Sequence, residues 1–485
     1  MPADRSLERL ANATLLVPFE AHDAPRWLLE GLADGFAGVC VFHNNIEDAG
    51  QITRVNARIA AAADAPLISL DEEGGDVTRI GQRGGSEYPG NAALGAIDDT
   101  DLTQAVHYSL AAELHTLGFN LDLAPSVDVN TAADNPVIGT RSFGADPELV
   151  ARHAMAAVRG LQGAGVAACA KHFPGHGATH QDSHTELPSI DAAPDLLARR
   201  ELLPFRSAIE AGVRSILTAH IQLPGLGVSA PATLAPEIVT GLLRDELGFD
   251  GMVITDALDM HGVSGDIGVP EAAVRALAAG CDLLCLGRFA YADEVAAVRA
   301  AVVAAVHEGR LSGERLEEAA ARTADVRAWT AGQASTPATG AVGIGLDGAR
   351  RAVRVTGELE RLHAPFVLEV DAPAGIAVGE VPWGLSPWFP QTVRLDAEKA
   401  DVADLLASAS GRDLVVVVRD AHRYPTTRAF VDRVCQARPD VVVVEMGLPV
   451  WRPDSRAHIS TYGAARVNGQ SAAEVLGSPT AASVR

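Results

Sequence analysis

Eight times between residues 15 and 288, a short apolar run ends in polar residues, glycine or proline. The runs are Leu15–Phe19; Val39–Phe42, followed by His43, Asn44 and Asn45; Leu67–Leu70, followed by Asp71; and Leu121–Ala124, followed by Pro125. Then come Val166–Ala170 before Lys171 and His172, Ser215–Ala219 before His220, Met252–Thr255 before Asp256, and Leu283–Leu286 before Gly287 and Arg288. Helical stretches with readable caps separate many of them. Asp146-Pro147 opens 148–161, which Gly163 closes, and 236–247 stops at Gly248. Strand and helix alternating eight times in this length predict an α/β fold, a (β/α)8 barrel with its active site at the C-terminal strand ends. The residues that terminate the runs would then converge on one mouth. A doubly wound open sheet is the alternative, and it also places ligands at strand C-termini.

The barrel accounts for residues 1–330. Residues 331–349 are rich in Gly, Ala, Thr and Pro without apolar periodicity and are expected to be a linker. Residues 350–485 carry strand-like runs at 366–370, 414–418 and 441–444, with an amphipathic stretch at 427–436, so a smaller α/β sandwich domain is expected. The sequence GIGLDG at 343–348 is a formal G-x-G-x-x-G, but no convincing strand feeds into it, which argues against dinucleotide binding.

The formal charge of −23 argues against nucleic acid and anionic membrane as partners. Five cysteines are too few for a disulfide framework, and Cys40, Cys169, Cys281 and Cys285 lie in or beside apolar runs as core residues. No basic segment followed by an uninterrupted apolar run opens the chain and no membrane span is visible, so a cytoplasmic enzyme is expected.

Asp256 ends one of the most apolar strands in the sequence, where a carboxylate is costly to bury unless a cation or ligand meets it. Asp71 ends the third strand and Lys171 and His172 the fifth; Arg141 sits in a Gly-flanked loop after the fourth. Arg79 is a candidate sugar ligand or a partner of Asp71. The segment KHFPGHGATHQDSH carries His172, His176, His180 and His184 four apart, but Pro174, Gly175 and Gly177 forbid one continuous helix, which weakens a zinc reading. No metal or cofactor is expected. The segment is expected to be a mobile loop whose Asp182 and His184 have the spacing of a carboxylate that orients an imidazole.

DEEGGDVTRI (71–80), IGTRSFG (138–144), KHFPGHGATHQDSHTELP (171–188) and ITDALDM (254–260) resemble the bacterial β-N-acetylglucosaminidases of glycoside hydrolase family 3. The resemblance implies a retaining exo-glycosidase with Asp256 as nucleophile and Asp182–His184 as acid/base dyad. It also implies a sugar held by Asp71, Arg79, Arg141, Lys171 and His172. Its substrates would be small N-acetylglucosaminides from peptidoglycan, chitin or another glycoside, with inorganic phosphate as a further acceptor beside water. Competing readings are a β-N-acetylglucosaminide phosphorylase, a broader β-glucosidase, a non-catalytic sugar-binding barrel, a metal-dependent hydrolase, and acetamido-assisted hydrolysis through Glu72 or Glu73.

Overall fold

In a computed structural model, residues 2–183, 186–288, 290–333 and 338–478 are described. Alpha-carbon packing divides the chain into two compact units. One comprises Met1–Glu72, Thr103–Val137 and Ala145–Ala341, and the other Glu73–Leu102, Ile138–Gly144 and Val342–Arg485.

The first unit is the eight-stranded barrel. Its strands are β1 (Leu15–Val17), β2 (Gly38–Cys40), β3 (Leu67–Leu70), β4 (Leu121–Asp122), β5 (Ala167–Phe173), β6 (Ser215–Thr218), β7 (Met252–Thr255) and β8 (Leu284–Cys285). They pair in the order β7-β6-β5-β4-β3-β2-β1-β8, and a parallel bridge from Ile254 to Leu283 closes the ring. Each strand is buried along its whole length, which is why the sequence shows continuous apolar runs rather than alternation. Leu16, Cys40, Leu67, Leu121, Cys169, Leu217, Ile254 and Cys285 belong to one core cluster. The five cysteines are buried and free, and burial pushes the Cys169 thiol up to about 12. The helix Pro147–Gly163 begins as its sequence predicts, with the Asp146 carboxylate accepting from the Glu148 amide at 3.1 Å. No helix among the described residues is long and apolar enough to cross a membrane.

The second unit is built on a six-stranded mixed sheet. After β9 (Arg354–Gly357) come β10 (Phe366–Val370), β11 (Val393–Leu395), β12 (Leu414–Val418), β13 (Val442–Glu445) and β14 (Ala457–Ser460), paired in the order β11-β10-β12-β13-β14-β9. All pairs are parallel except β14 with β9. Alternation along β12 divides the core in two. Leu414, Val416 and Val418 join Phe430 and Val434 of the helix Pro425–Ala437, while Val415 and Val417 join Ala472 of the helix Arg466–Val475.

Two stretches inside 1–330 pack with this unit, namely the excursions after β3 (73–102) and after β4 (138–144). Glycines permit the close approaches. A Cβ on Gly95 would lie 1.8 Å from the Phe143 carbonyl, and one on Gly345 would lie 1.9 Å from the Glu87 carbonyl. Gly345 belongs to the helix Ile344–Ala352, so part of 331–349 is helical where a linker is expected. The G-x-G-x-x-G therefore opens a helix, and the described residues just before it, 338–343, contain no strand.

Candidate active site

In the barrel, Asp71 follows the last residue of β3 and accepts from the Lys171 ammonium at 2.7 Å. The Lys171 side chain is only 2% exposed, so the Asp71 carboxylate meets this charge in a dry setting. The register between β5 and β6 shifts between Lys171 and Phe173, and His172 is the residue left over. A bulge of this kind re-aims a side chain at a barrel rim.

His172 is fixed from below by Asp128, a residue the sequence reasoning missed. Asp128 is fully buried and takes four donors: His172 Nδ1 at 2.7 Å, the His172 amide at 3.2 Å, the His176 amide at 2.7 Å and the Ser126 hydroxyl at 3.0 Å. Burial alone would raise its pKa. The charge of His172, the His176 charge and the hydrogen bonds from His172 outweigh burial and hold it below the ordinary carboxylate value. Because the carboxylate accepts, His172 Nδ1 carries a proton in this arrangement.

His176 is buried and serves the loop. The Thr179 hydroxyl donates to the His176 carbonyl at 3.0 Å, so it takes a proton from Nδ1 at 2.8 Å, and Nε2 bonds the Ser183 hydroxyl at 2.9 Å. Ser183 is the residue after Asp182, so His176 anchors the loop there. His180 pairs with Asp134 at 2.9 Å on the surface. Among the described residues, no group of three or more His, Cys, Asp or Glu is arranged to hold a metal ion. Asp182 is half-buried, and its carbonyl accepts from the Glu186 amide at 3.0 Å. His184 lies outside the described residues.

Two glycines of the loop make close approaches. A Cβ on Gly177 would lie 2.0 Å from the Val129 carbonyl, and one on Gly175 would lie 2.5 Å from Glu201 Cγ. Here glycine provides close packing, and 171–177 is buried throughout.

Asp256 sits at the C-terminal end of β7, half-buried, with its Oδ1 accepting from the Ala257 amide at 2.8 Å and its own amide donating to the Thr218 carbonyl at 3.2 Å. His220, after β6, donates from Nε2 to the Ala257 carbonyl at 3.0 Å and bonds Thr233 through Nδ1 at 2.8 Å. The peptide following Asp256 is thus held from β6. Asp122, in β4, accepts from the Glu72 amide at 3.0 Å, and its other oxygen is buried with no hydrogen-bond partner among the described residues. Burial pushes its pKa well above the ordinary value. A carboxylate inside the apolar run 121–124 was the available signal for it.

In the second unit, Arg141 is buried with Glu73, donating from Nη2 to Oε1 at 2.7 Å and from Nε to Oε2 at 3.0 Å. Its carbonyl accepts from Asn91 at 2.7 Å. Arg79, also buried, donates through both terminal nitrogens to the Ala377 carbonyl at 3.3 Å.

Comparison with known proteins matches residues 16–326, most of the chain, to the N-terminal domain of glycosyl hydrolase family 3. The chain belongs to that family. It is 36% identical over 316 residues to beta-hexosaminidase A of Pseudoalteromonas piscicida, covering 60% of this chain but only 53% of that protein. It is 38% identical over 258 residues to a beta-hexosaminidase of Stenotrophomonas maltophilia (strain R551-3), covering 52% and 76% respectively. A solved structure of a family 3 beta-N-acetylglucosaminidase from Paenibacillus sp. str. FPU-7 superposes with a TM-score of 0.88 at 32% identity, covering 97% of this chain and 96% of that one. That likeness spans the barrel and the second sheet alike, so the two-part α/β architecture is a property of this family 3 member and not of its barrel alone.

Proposed function

We propose that this family 3 enzyme is a retaining exo-β-N-acetylglucosaminidase. The observation that carries the reading is the end-to-end likeness to the Paenibacillus β-N-acetylglucosaminidase, with Asp256 at a strand C-terminus where barrel enzymes keep their chemistry. Asp256 attacks the anomeric carbon and the glycosidic C–O bond breaks, while protonated His184 delivers its proton to the leaving oxygen. Water then gives a proton to neutral His184 and its oxygen displaces Asp256, so configuration is retained. Asp182 orients the imidazole and stabilises its charged form. Asp71, Arg79, Arg141, Lys171 and His172 are the residues proposed to hold the sugar.

Glu73 is committed to the Arg141 guanidinium, which disfavours it as the base of an acetamido-assisted route. Inorganic phosphate is the other acceptor this dyad permits, because an imidazole in its base form carries no charge to repel it. The substrates proposed are small N-acetylglucosaminides, from peptidoglycan or chitin.

The test is turnover of a chromogenic β-N-acetylglucosaminide together with trapping by a 5-fluoro glycosyl probe. A covalent mass on Asp256, lost in Asp256→Ala along with nearly all turnover, is expected. An adduct on Glu72 or Glu73, or none during turnover, overturns the mechanism. Free sugar as the sole product at saturating phosphate would exclude phosphorolysis.

A further inference from the structure

The excursion after β3 makes a tight turn in which Gly74 and Gly75 both have positive φ, at 73° and 64°, and the Glu73 amide donates to the Val77 carbonyl at 3.1 Å. This turn presents two carboxylates to the excursion after β4. Glu73 takes the Arg141 guanidinium. Asp76 takes the hydroxyl of the preceding residue, Thr140, on Oδ2 at 2.7 Å. Two successive residues of one segment are thus gripped by one turn of another.

Asp76 has two further donors, both from the C-terminal part of the chain. Arg419 Nη2 reaches Oδ2 at 3.1 Å and the Ala464 amide reaches Oδ1 at 2.7 Å. The Asp76 side chain is only 2% exposed, so these contacts are made away from water, where a charge-assisted bond is costly to lose. Arg419 is the first residue beyond β12, and its neighbours are fixed. The buried Glu445 carboxylate accepts from the amides of Asp420 at 2.7 Å, Ala421 at 3.2 Å and Gly447 at 2.7 Å. The Asp420 carboxylate in turn accepts from the Leu448 amide at 3.0 Å. Arg419 is therefore presented by a rigid sheet end rather than by a free loop.

We propose that Asp76, paired with Arg419, is a positioning residue through which the C-terminal sheet sets the place of Thr140 and Arg141, and so the affinity for the sugar. This rests on the sugar-binding role proposed for Arg141. It gives the second domain a part in substrate affinity without lending a catalytic group.

The variants Asp76→Asn, Arg419→Met and Arg419→Lys and the Asp76→Asn/Arg419→Met double variant test it in the full chain. For an aryl β-N-acetylglucosaminide, Asp76→Asn and Arg419→Met should each raise KM roughly three- to tenfold with kcat held within about twofold, the pattern of lost uniform binding. The double variant should be no worse than the poorer single, because the two act through one contact. Arg419→Lys should recover part of the loss. Hydrogen exchange should quicken at the Arg141 and Ser142 amides, which donate to Ile138 and Gly139, and stay unchanged in β5 and β6.

Unchanged exchange at 138–144, additive single effects, or a fall in kcat at constant KM would overturn the proposal. If Asp76→Asn does not fold, the two Arg419 variants carry the same comparison. A wild type inert on every N-acetylglucosaminide would sink the proposed function, while the exchange measurement would still decide whether the pair positions Arg141.

Discussion

Asp128→Asn is the most informative single change in the barrel. The wild-type carboxylate accepts from four donors: the Ser126 hydroxyl, the His172 amide, His172 Nδ1 and the His176 amide. An asparagine at the same place has one acceptor oxygen with two lone pairs, so at best two of the four bonds survive and the other donors meet an NH2 group. At about 1.5–3 kcal/mol for each lost bond to a charged acceptor, the variant should lose about 3–6 kcal/mol of stability at neutral pH. Urea unfolding followed by circular dichroism measures it.

The pH dependence supplies a second check. The Asp128 pKa is depressed in the folded protein, because the charge and bonds of His172 outweigh burial. Its contribution is therefore fully present above the unfolded carboxylate value of about 3.9 and is lost as pH falls through the lower folded value. The gap between wild type and variant should hold steady from pH 7 to about pH 4 and close only below that. A gap under about 1 kcal/mol at pH 7, or one that closes well above pH 5, would refute the account of Asp128 as an ionised hub.

Two further predictions concern the same mouth. Asp122→Asn should show the opposite pH behaviour: burial raises the Asp122 pKa, so wild-type stability falls as pH rises from the ordinary carboxylate value of about 3.9 toward the raised folded value, and the variant gains on wild type in urea midpoints over that rise; parallel stability curves would contradict this. His184→Ala should keep far more activity on aryl substrates with good leaving groups than on disaccharides, since the former need little protonation, and an equal loss on both would exclude His184 as the acid.

Much of the barrel was legible because parallel strands buried on both faces leave unbroken apolar runs, and because the residues that end them mark the mouth. Asp71, Lys171 and Asp256 stood out as charges at the ends of such runs, and the structure joins the first two. In the second unit, the strongly apolar β10, β12 and β13 were visible. β9 is exposed along its length, and β11 carries two exposed residues and a half-buried one, so neither leaves an apolar run to find. Asp128 meets His172 across 44 positions, and Asp76 meets Arg419 across 343 and Ala464 across 388. No local pattern encodes a partner at that distance; it follows from strand register and from which loops the second sheet captures. Gly175 and Gly177 also make close approaches to Glu201 and Val129. Glycine permits both slack and close approach, and composition cannot tell them apart.

The pair Asp122 and Asp128 makes the limit concrete. Both are aspartates, both are fully buried, and both lie on or just past the fourth strand. Their environments nevertheless drive them apart. Asp122 receives one amide and, among the described residues, no donor on its other oxygen, so burial dominates and the acid form is favoured. Asp128 receives four donors and an imidazole charge, so the anion is favoured despite equal burial. The difference matters at Lys171, which influences Asp122 electrostatically and bonds Asp71 directly. The raised pKa of Asp122 weakens its competition with Asp71 for the ammonium. The number of donors reaching a carboxylate, which register decides, therefore sets the charge of the mouth more than the count of acidic residues in the sequence does.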